Sequence, residues 1–167
     1  TDVDDPRIRR LLELEIPFVS FGRANDSWDF SYIDVDGADG MRQVIEHLAA
    51  RGHQRIAFIR WPTLSLAGSY RAQGCREALV SLGLPSDEHW LVEAENTPLH
   101  GYRAAQALMT RSAGKRPTAI ACVSDVIAIG VLKYLHEHGI VVGRDVAVTG
   151  FDDIPACTVI EPPLTTM

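Results

Sequence analysis

The amino-acid sequence predicts an α/β fold, a doubly wound parallel sheet with helices on both faces. Two observations support this prediction. Apolar runs rich in β-branched and aromatic residues alternate along the chain with segments whose apolar residues recur at helical spacing. A glycine follows each of the main helical segments, where it is suited to end a helix. Such alternation is typical of βαβ units, whose strands pair in parallel.

Six runs are predicted to be strands. They are short and apolar, and polar or acidic residues stand at most of their carboxyl ends. The runs span residues 16–22, 32–36, 55–61, 89–95, 118–125 and 146–152.

The segments between the later runs have the spacing of helices that bury one face. The apolar positions of the first such helix are Met41, Val44, Ile45, Leu48 and Ala49. Asp36 is positioned to cap the start of this helix, and Gly52 to end it. Further helices are predicted before Gly83, before Gly114 and over residues 126–138.

Composition and charge exclude several classes of protein. Of the 167 residues, 46% are hydrophobic and 23% are charged, which is the usage of a globular chain with a sizeable core. No apolar run has the roughly 20 residues that a membrane-spanning helix needs, and no basic secretory signal opens the chain, so a cytoplasmic protein is expected. The net charge of −6, without a basic cluster, argues against nucleic-acid binding by this chain itself.

The sequence predicts neither a metal site nor a cofactor. No Cys/His spacing typical of a metal site occurs, so Cys75, Cys122 and Cys157 are expected to be buried free thiols. No G-x-G-x-x-G sequence or phosphate-binding loop follows a predicted strand. Catalysis has little support either, because the histidines lie on or beside helices or at the start of a strand.

The carboxyl ends of the predicted strands are where a ligand site is expected, because parallel sheets bind ligands in the crevice beyond those ends. Polar acceptors and aromatic rings converge there. They are Asp36, Trp61, Glu95, Asn96, Ser124, Asp125, Phe151, Asp152 and Asp153.

Arg71 is the sharpest candidate for a ligand contact. Its helix is predicted to be capped by Ser69, which places Arg71 in the first turn, where the helix dipole disfavours a cation by roughly 0.3–1 kcal/mol. The guanidinium fork of Arg71 and the paired acceptors of Asp152 suit neighbouring hydroxyls of a sugar or the edge of a purine. The alternative is that Arg71 extends into solvent or pairs with Glu77.

The other strand-end residues allow a structural role beside a ligand contact. Asp36 and Asp125 each precede a helix, so helix capping is the default interpretation for both. Trp61 either stacks on a ligand ring or roofs the crevice. Glu95 and Asn96 are either ligand contacts or solvated loop residues.

Four motifs give the chain a resemblance to a known family. They are the run GHQRIAFI, the R-x-x-G helix start in YRAQG, the segment SDVIAIG, and GFDD followed by PPLTT. From about residue 16 onward, the chain resembles the effector-binding core of the LacI/GalR (lactose-repressor) family of bacterial transcription regulators. The resemblance implies a periplasmic-binding-protein-like fold of two lobes, with a small-molecule effector, a sugar or a nucleoside or purine, between them.

The resemblance also implies how the chain is divided. Residues 1–31 are expected to be a remnant of the N-terminal lobe and residues 32–160 the C-terminal effector-binding and dimerisation lobe. Residues 161–167 are expected to begin a truncated return crossover, which Pro162 and Pro163 would stiffen. Such regulators bind operator DNA through a helix-turn-helix domain, which the resemblance places outside this chain.

Matching the motifs residue by residue gives the implied ligand contacts. Arg71 corresponds to the family's effector-binding arginine and Asp152 to its effector-binding aspartate. Asn96 stands where relatives often carry an aromatic ring, Ser124 where many carry asparagine, and Trp61 where glycine is common. The resemblance implies no catalytic residue and no metal ligand.

The last predicted helix is more apolar than packing on one sheet requires, so a second face is available for a partner. The alternative is a helix buried by its own lobe. The resemblance implies that this helix and the loop over residues 154–159 form a two-fold homodimer interface. The residues expected in it are Val126, Ile129, Leu132, Lys133, Ile154 and Val159.

These observations leave three candidate functions. The first is the dimerising, effector-sensing core of a transcriptional regulator, in which the ligand changes the lobe arrangement and thereby DNA binding. The alternatives are a periplasmic sugar-binding protein of a transport system and an enzyme on a doubly wound sheet. The PPLTT sequence and the apolar last helix favour the regulator, because transport binding proteins are usually monomeric.

Overall fold

The structure is a computed structural model that describes residues 2–62, 65–86 and 88–167. Its α-helices are α1 (Pro6–Glu13), α2 (Gly37–Ala50), α3 (Leu66–Ser81), α4 (Pro98–Met109) and α5 (Asp125–Glu137). Its strands are β1 (Val19–Phe21), β2 (Ser31–Ile33), β3 (Ile56–Arg60), β4 (Leu91–Glu93), β5 (Ala119–Cys122) and β6 (Ala147–Thr149). Short 3-10 helices span Glu88–Trp90, Ala113–Lys115 and Pro155–Thr158. None of the helices in the described ranges is long and apolar enough to cross a membrane.

Four strands form one parallel sheet in the order β4-β3-β5-β6. In the central pair, Ile56 of β3 is aligned with Ala119 of β5. All four residues of β5 are buried, as are all residues of β3 except Arg60. Burial on both faces is what a sheet covered by helices on two sides requires. The predicted fold class is confirmed.

The crossovers place the helices on two faces and mark a ligand crevice. Helix α3 leads from β3 to β4, whereas α4 and α5 lead in the opposite direction, to β5 and β6. Since such crossovers are right-handed, α3 lies on one face and α4 and α5 on the other. Helix α2 packs against α3, and α4 against α5. The direction reverses between β3 and β5, so their carboxyl ends flank the switch point at which open α/β sheets bind ligands.

Side-chain oxygens cap the helices around this crevice. Asp36 caps α2 as predicted, and Ser65 and Ser124 cap α3 and α5. The predicted cap at Ser69 is wrong, because this residue lies inside α3 and its hydroxyl donates to the Ser65 carbonyl oxygen at 3.0 Å. The predicted cap at Asp125 is also wrong, because Asp125 is the first residue of α5, one position after the cap.

The true start of α3 moves Arg71 away from the positive end of the helix dipole. Because the helix begins at Leu66, Arg71 lies in its second turn. The unfavourable interaction of a cation with the helix dipole falls off within the first turn. The predicted electrostatic cost therefore does not apply, and the role of Arg71 depends on its contacts alone.

The two N-terminal strands form a separate parallel sheet, in which Val19 pairs with Ser31 and Phe21 with Ile33. The predicted runs 16–22 and 32–36 therefore each overlap a three-residue strand, but these two strands do not join the main sheet. Phe21 is 73% exposed and Ile33 66% exposed. The predicted division of the chain at residues 31 and 160 stays a prediction.

The three cysteines are buried free thiols, as predicted. Burial raises the pKa of the Cys75 thiol to about 12. Burial, together with the nearby Asp125 carboxylate, raises the pKa of Cys122 as well. Such thiols are poor nucleophiles, which agrees with a packing role.

Glycines allow the helix pairs to approach closely. A β-carbon at Gly130 would lie 1.9 Å from the Pro98 carbonyl oxygen, and one at Gly101 would lie 2.1 Å from the Ile127 carbonyl oxygen. The crossing of α4 and α5 therefore has no space for a side chain at either glycine.

We expect Gly130→Ala to lower the free energy of unfolding by at least about 2 kcal/mol, because the helices must separate to admit the methyl group. Urea unfolding measures this change. The matched control is Gly114→Ala, since a β-carbon at Gly114 meets nothing within 4 Å. Equal effects of the two substitutions would contradict the close helix crossing.

Candidate functional site

Arg71 reaches the carboxyl edge of the sheet from α3 and is held there by two partners. Its Nη2 donates to Oδ1 of Asp152 at 2.8 Å, and its Nη1 lies 3.4 Å from Oδ2 of the same carboxylate. Nη1 also donates to the Val123 carbonyl oxygen at 2.7 Å. The end of β5 and the loop after β6 thus fix the guanidinium. Glu77, the alternative partner, instead accepts a hydrogen bond from Gln73 at 2.8 Å.

Two aromatic rings contact the same guanidinium. Cζ of Arg71 lies 3.8 Å from the ring centroid of Phe151 and 5.3 Å from that of Trp61. Cations over aromatic faces are attracted by the ring quadrupole. Only 7% of Arg71 is exposed, so the side chain is preorganised in one position rather than mobile in solvent.

Two glycines of α2 make room for this cluster. A β-carbon at Gly37 would lie 3.0 Å from Cγ of Arg71, and one at Gly40 would lie 2.8 Å from the Phe151 ring. Because α2 begins after β2, this helix connects the small sheet to the site.

Trp61 covers the guanidinium from the end of β3. Its indole rests on α3, where a β-carbon at Gly68 would lie 3.0 Å from Cε3 of the ring. Nε1 of Trp61 and Nε of Arg71 are buried without an acceptor among the described residues. An unpaired buried donor costs about 1–3 kcal/mol, so an acceptor that reached either group would stabilise it.

Asp152 is the open member of the charged pair. Its side chain is 41% exposed, whereas that of Arg71 is 9% exposed. A carboxylate has about four lone-pair sites, and Arg71 uses only some of them. Asp152 therefore has acceptor sites available to a molecule in the crevice.

Ser124 and Asn96 lie at the same edge of the sheet and contact each other. The Ser124 hydroxyl donates to Oδ1 of Asn96 at 2.7 Å and accepts from the N–H of Ile127 at 3.4 Å. Ser124 is buried and Asn96 is exposed. The hydroxyl is thus used within the protein and orients the Asn96 amide, which faces solvent.

The residues predicted for a partner interface lie on α5 and in the loop after β6. Leu132 is buried at 8% exposure, whereas Val159 is 84% exposed. Lys133 is exposed and pairs with Glu137 at 2.5 Å. The half-buried members of the set are Val126, Ile129 and Ile154.

Sequence reasoning missed three contributors to the site. The Val123 carbonyl oxygen has no signal in the sequence, because every residue carries one. The stacking of Phe151 on Arg71 was not predicted, although Phe151 was placed at a strand end. The small residues Gly37 and Gly40, three apart on α2, are the signal that could have indicated a close approach to this helix.

We expect Asp152→Asn to lower the free energy of unfolding by about 1–3 kcal/mol, because the buried Arg71 guanidinium keeps the Val123 carbonyl oxygen but loses its counter-charge. Urea unfolding at neutral pH measures this. An unchanged free energy of unfolding would show that Asp152 does not hold the Arg71 guanidinium in place.

Comparisons with known proteins identify the family. Residues 45–167 match the family model described as periplasmic binding protein-like domain. The structure is similar to that of a LacI-family regulatory protein from Chloroflexus aggregans, with a TM-score of 0.95 and 40% identity, over 99% of this chain and 59% of that chain. It is also similar to a complex of the transcriptional regulator CelR with cellobiose, with a TM-score of 0.90 and 36% identity, over 99% of this chain and 51% of that chain.

The sequence comparison also finds transcriptional regulators. The HTH-type transcriptional regulator CelR of Thermobifida fusca is 36% identical over 166 residues, which are 98% of this chain and 48% of the relative. The chain spans about half the length of the curated relatives it matches. The chain belongs to the periplasmic binding protein-like domain family, and it is similar to LacI-family and HTH-type transcriptional regulators.

Proposed function

We propose that the chain is the effector-binding and dimerising domain of a LacI/GalR-type transcriptional regulator. It senses a small polar ligand, a sugar, and thereby controls DNA binding by a helix-turn-helix domain outside this chain. The observation that carries the proposal is the Arg71–Asp152 pair at the switch point of the sheet, with one member fixed and the other open.

A sugar suits this site because each of its hydroxyls both donates and accepts. Asp152 accepts from hydroxyls on one side of the ring, and the exposed amide of Asn96 provides both a donor and an acceptor beside it. The indole of Trp61 offers an apolar face to the C–H groups of the sugar. Arg71 holds Asp152 in place and neutralises its charge, while Ser124 orients Asn96.

The relatives favour a regulator over a transport binding protein or an enzyme, because CelR is a transcriptional regulator and the Chloroflexus aggregans protein is a LacI-family regulatory protein. In this proposal, residues 1–31 belong to an N-terminal lobe, residues 32–160 form the C-terminal lobe, and residues 161–167 return the chain to the first lobe. A ligand between the lobes favours the arrangement it binds more tightly, and that arrangement sets the affinity for operator DNA. Such a regulator works in the cytoplasm and needs no cofactor.

A homodimer is part of the same proposal. A groove of about 600 Å³ lies beside α5, and its lining includes Ile129, Leu132, Lys133, Ile140 and Pro162. A two-fold partner that covered Val159 and this side of α5 would remove apolar surface from water.

We expect Asp152→Asn to weaken the binding of cellobiose, the first sugar to test, by at least about tenfold, which is the loss of one hydrogen bond to a charged group. Isothermal titration calorimetry on the full-length protein measures this, after a thermal-shift screen of sugars and nucleosides. The matched control is Asp153→Asn in the same loop, which should leave the affinity within about threefold. Unchanged affinity in the Asp152→Asn variant would remove the pair from the site.

We expect Val159→Lys to raise the dissociation constant of the homodimer by at least about tenfold, because a buried unpaired charge opposes association. Analytical ultracentrifugation over a range of concentrations measures this. Val80→Lys is the control, since Val80 is 63% exposed on α3, away from α5. If both variants associate like the wild type, Val159 lies outside the interface.

A further inference from the structure

Asp125 is a fully buried carboxylate at the start of α5. Its exposed fraction is 0%. Gly150 is required beside it, because a β-carbon there would lie 2.0 Å from Oδ1 of Asp125. The N-terminus of a helix stabilises a negative charge, which helps this position to accommodate a carboxylate. A buried carboxylate needs hydrogen-bond donors, and the positions of those donors show which segments of the chain Asp125 connects.

The donors to Asp125 come from two different segments. Oδ2 accepts from the N–H of Ile154 at 2.9 Å, and Oδ1 accepts from the hydroxyl of Thr166 at 2.7 Å. The N–H of Asp125 donates to the Phe151 carbonyl oxygen at 2.9 Å. Burial is the larger cause, and a hydrogen bond to Asp125 the second, that raises the pKa of the adjacent Cys157 thiol to about 11. Asp125 therefore joins α5, the loop over residues 150–154 and the C-terminal segment.

The loop that Asp125 holds has an unusual backbone. Asp152 has a φ of 102° and Asp153 a φ of 46°. Residues with a side chain rarely adopt such angles, and these persist only where the surrounding contacts determine them. The side chain of Asp152 faces Arg71 from this strained position.

The C-terminal segment provides the remaining contacts to the loop. The N–H of Asp152 donates to the Met167 carbonyl oxygen at 2.9 Å, and the N–H of Gly150 to the Thr165 carbonyl oxygen at 2.9 Å. The hydroxyl of Thr166 accepts from the N–H of Asp153 at 3.3 Å while it donates to Asp125. One hydroxyl thus connects the buried carboxylate to the strained loop.

We propose that Asp125 is a positioning residue for effector binding. Through Ile154 and Thr166, it holds the loop over residues 150–154 in the conformation that presents Asp152 to Arg71 and to the crevice. The effector part of this inference rests on the proposed function, whereas the positioning part does not. Because Thr166 lies in the predicted crossover between lobes, a displacement of that segment moves Asp152, which couples the lobe arrangement to the site.

The first test measures hydrogen exchange at the N–H of Asp152 by NMR, without any ligand. This group is informative because its acceptor, the Met167 carbonyl oxygen, is unchanged by substitution of Asp125 or Thr166. We expect Asp125→Ala and Thr166→Val each to speed its exchange by at least about tenfold, the effect of one lost hydrogen bond to a charged group. In Asp125→Asn, the exchange rate at the Asp152 N–H should stay within about threefold of the wild-type rate. The amide oxygen of the new side chain still accepts from the N–H of Ile154, and its NH₂ donates to Thr166.

The matched control for Thr166→Val is Thr110→Val. The Thr110 hydroxyl also makes a local hydrogen bond, to the Gln106 carbonyl oxygen at 2.8 Å, but at the end of α4. If exchange at Asp152 in Thr166→Val equals that in Thr110→Val, the proposal is overturned, even if Asp125→Ala does not fold.

The second test measures cellobiose binding by calorimetry in the full-length variants. We expect a three- to tenfold weaker affinity in Thr166→Val, and wild-type affinity within about threefold in Asp125→Asn and Thr110→Val. If Asp152→Asn weakens binding but Thr166→Val does not, the positioning role fails and the proposed function stands. If the wild type does not bind cellobiose, the choice of sugar fails, and the exchange measurement still decides the positioning role.

Discussion

The Arg71 guanidinium is the point at which three parts of the chain meet. It comes from α3, donates to the Val123 carbonyl oxygen directly after β5 and pairs with a carboxylate in the loop after β6. A buried cation needs partners in fixed positions, because an unpaired charge away from water is costly. The end of β5 and the loop after β6 must therefore keep their places, and this requirement explains the contacts that surround them.

Sheet topology and close packing meet that requirement together. The reversal of the crossovers between β3 and β5 opens a crevice at the carboxyl edge. Glycines let α2 approach the cluster and α4 cross α5 closely, so these helices pack without space for a side chain at those positions. Asp125 and Thr166 then hold the loop that carries Asp152. The exposed acceptor sites of the Asp152 carboxylate are thus available to a ligand.

Sequence patterns predicted the alternation of strands and helices because apolar residues repeat with different periods in the two structures, and both repeats are local in sequence. Asp152 was proposed from its strand-end position and Arg71 from a helix start, both with a family resemblance. The cap at Ser69 was wrong, since Ser65 and Ser69 both suit a helix start. That β1 and β2 form their own sheet depends on long-range pairing, which composition does not encode. The Val123 carbonyl and the role of Asp125 depend on tertiary contacts, and the ligand and the dimer remain predictions.

The most direct measurement of the central claim is a crystal structure of the full-length protein grown with cellobiose. We expect a sugar at the carboxyl edge of the sheet, with hydroxyl oxygens within about 3.2 Å of the Asp152 carboxylate and beside Arg71 and Asn96. A sugar bound elsewhere, for example in the groove beside α5, with the Arg71–Asp152 pair untouched, would contradict this expectation.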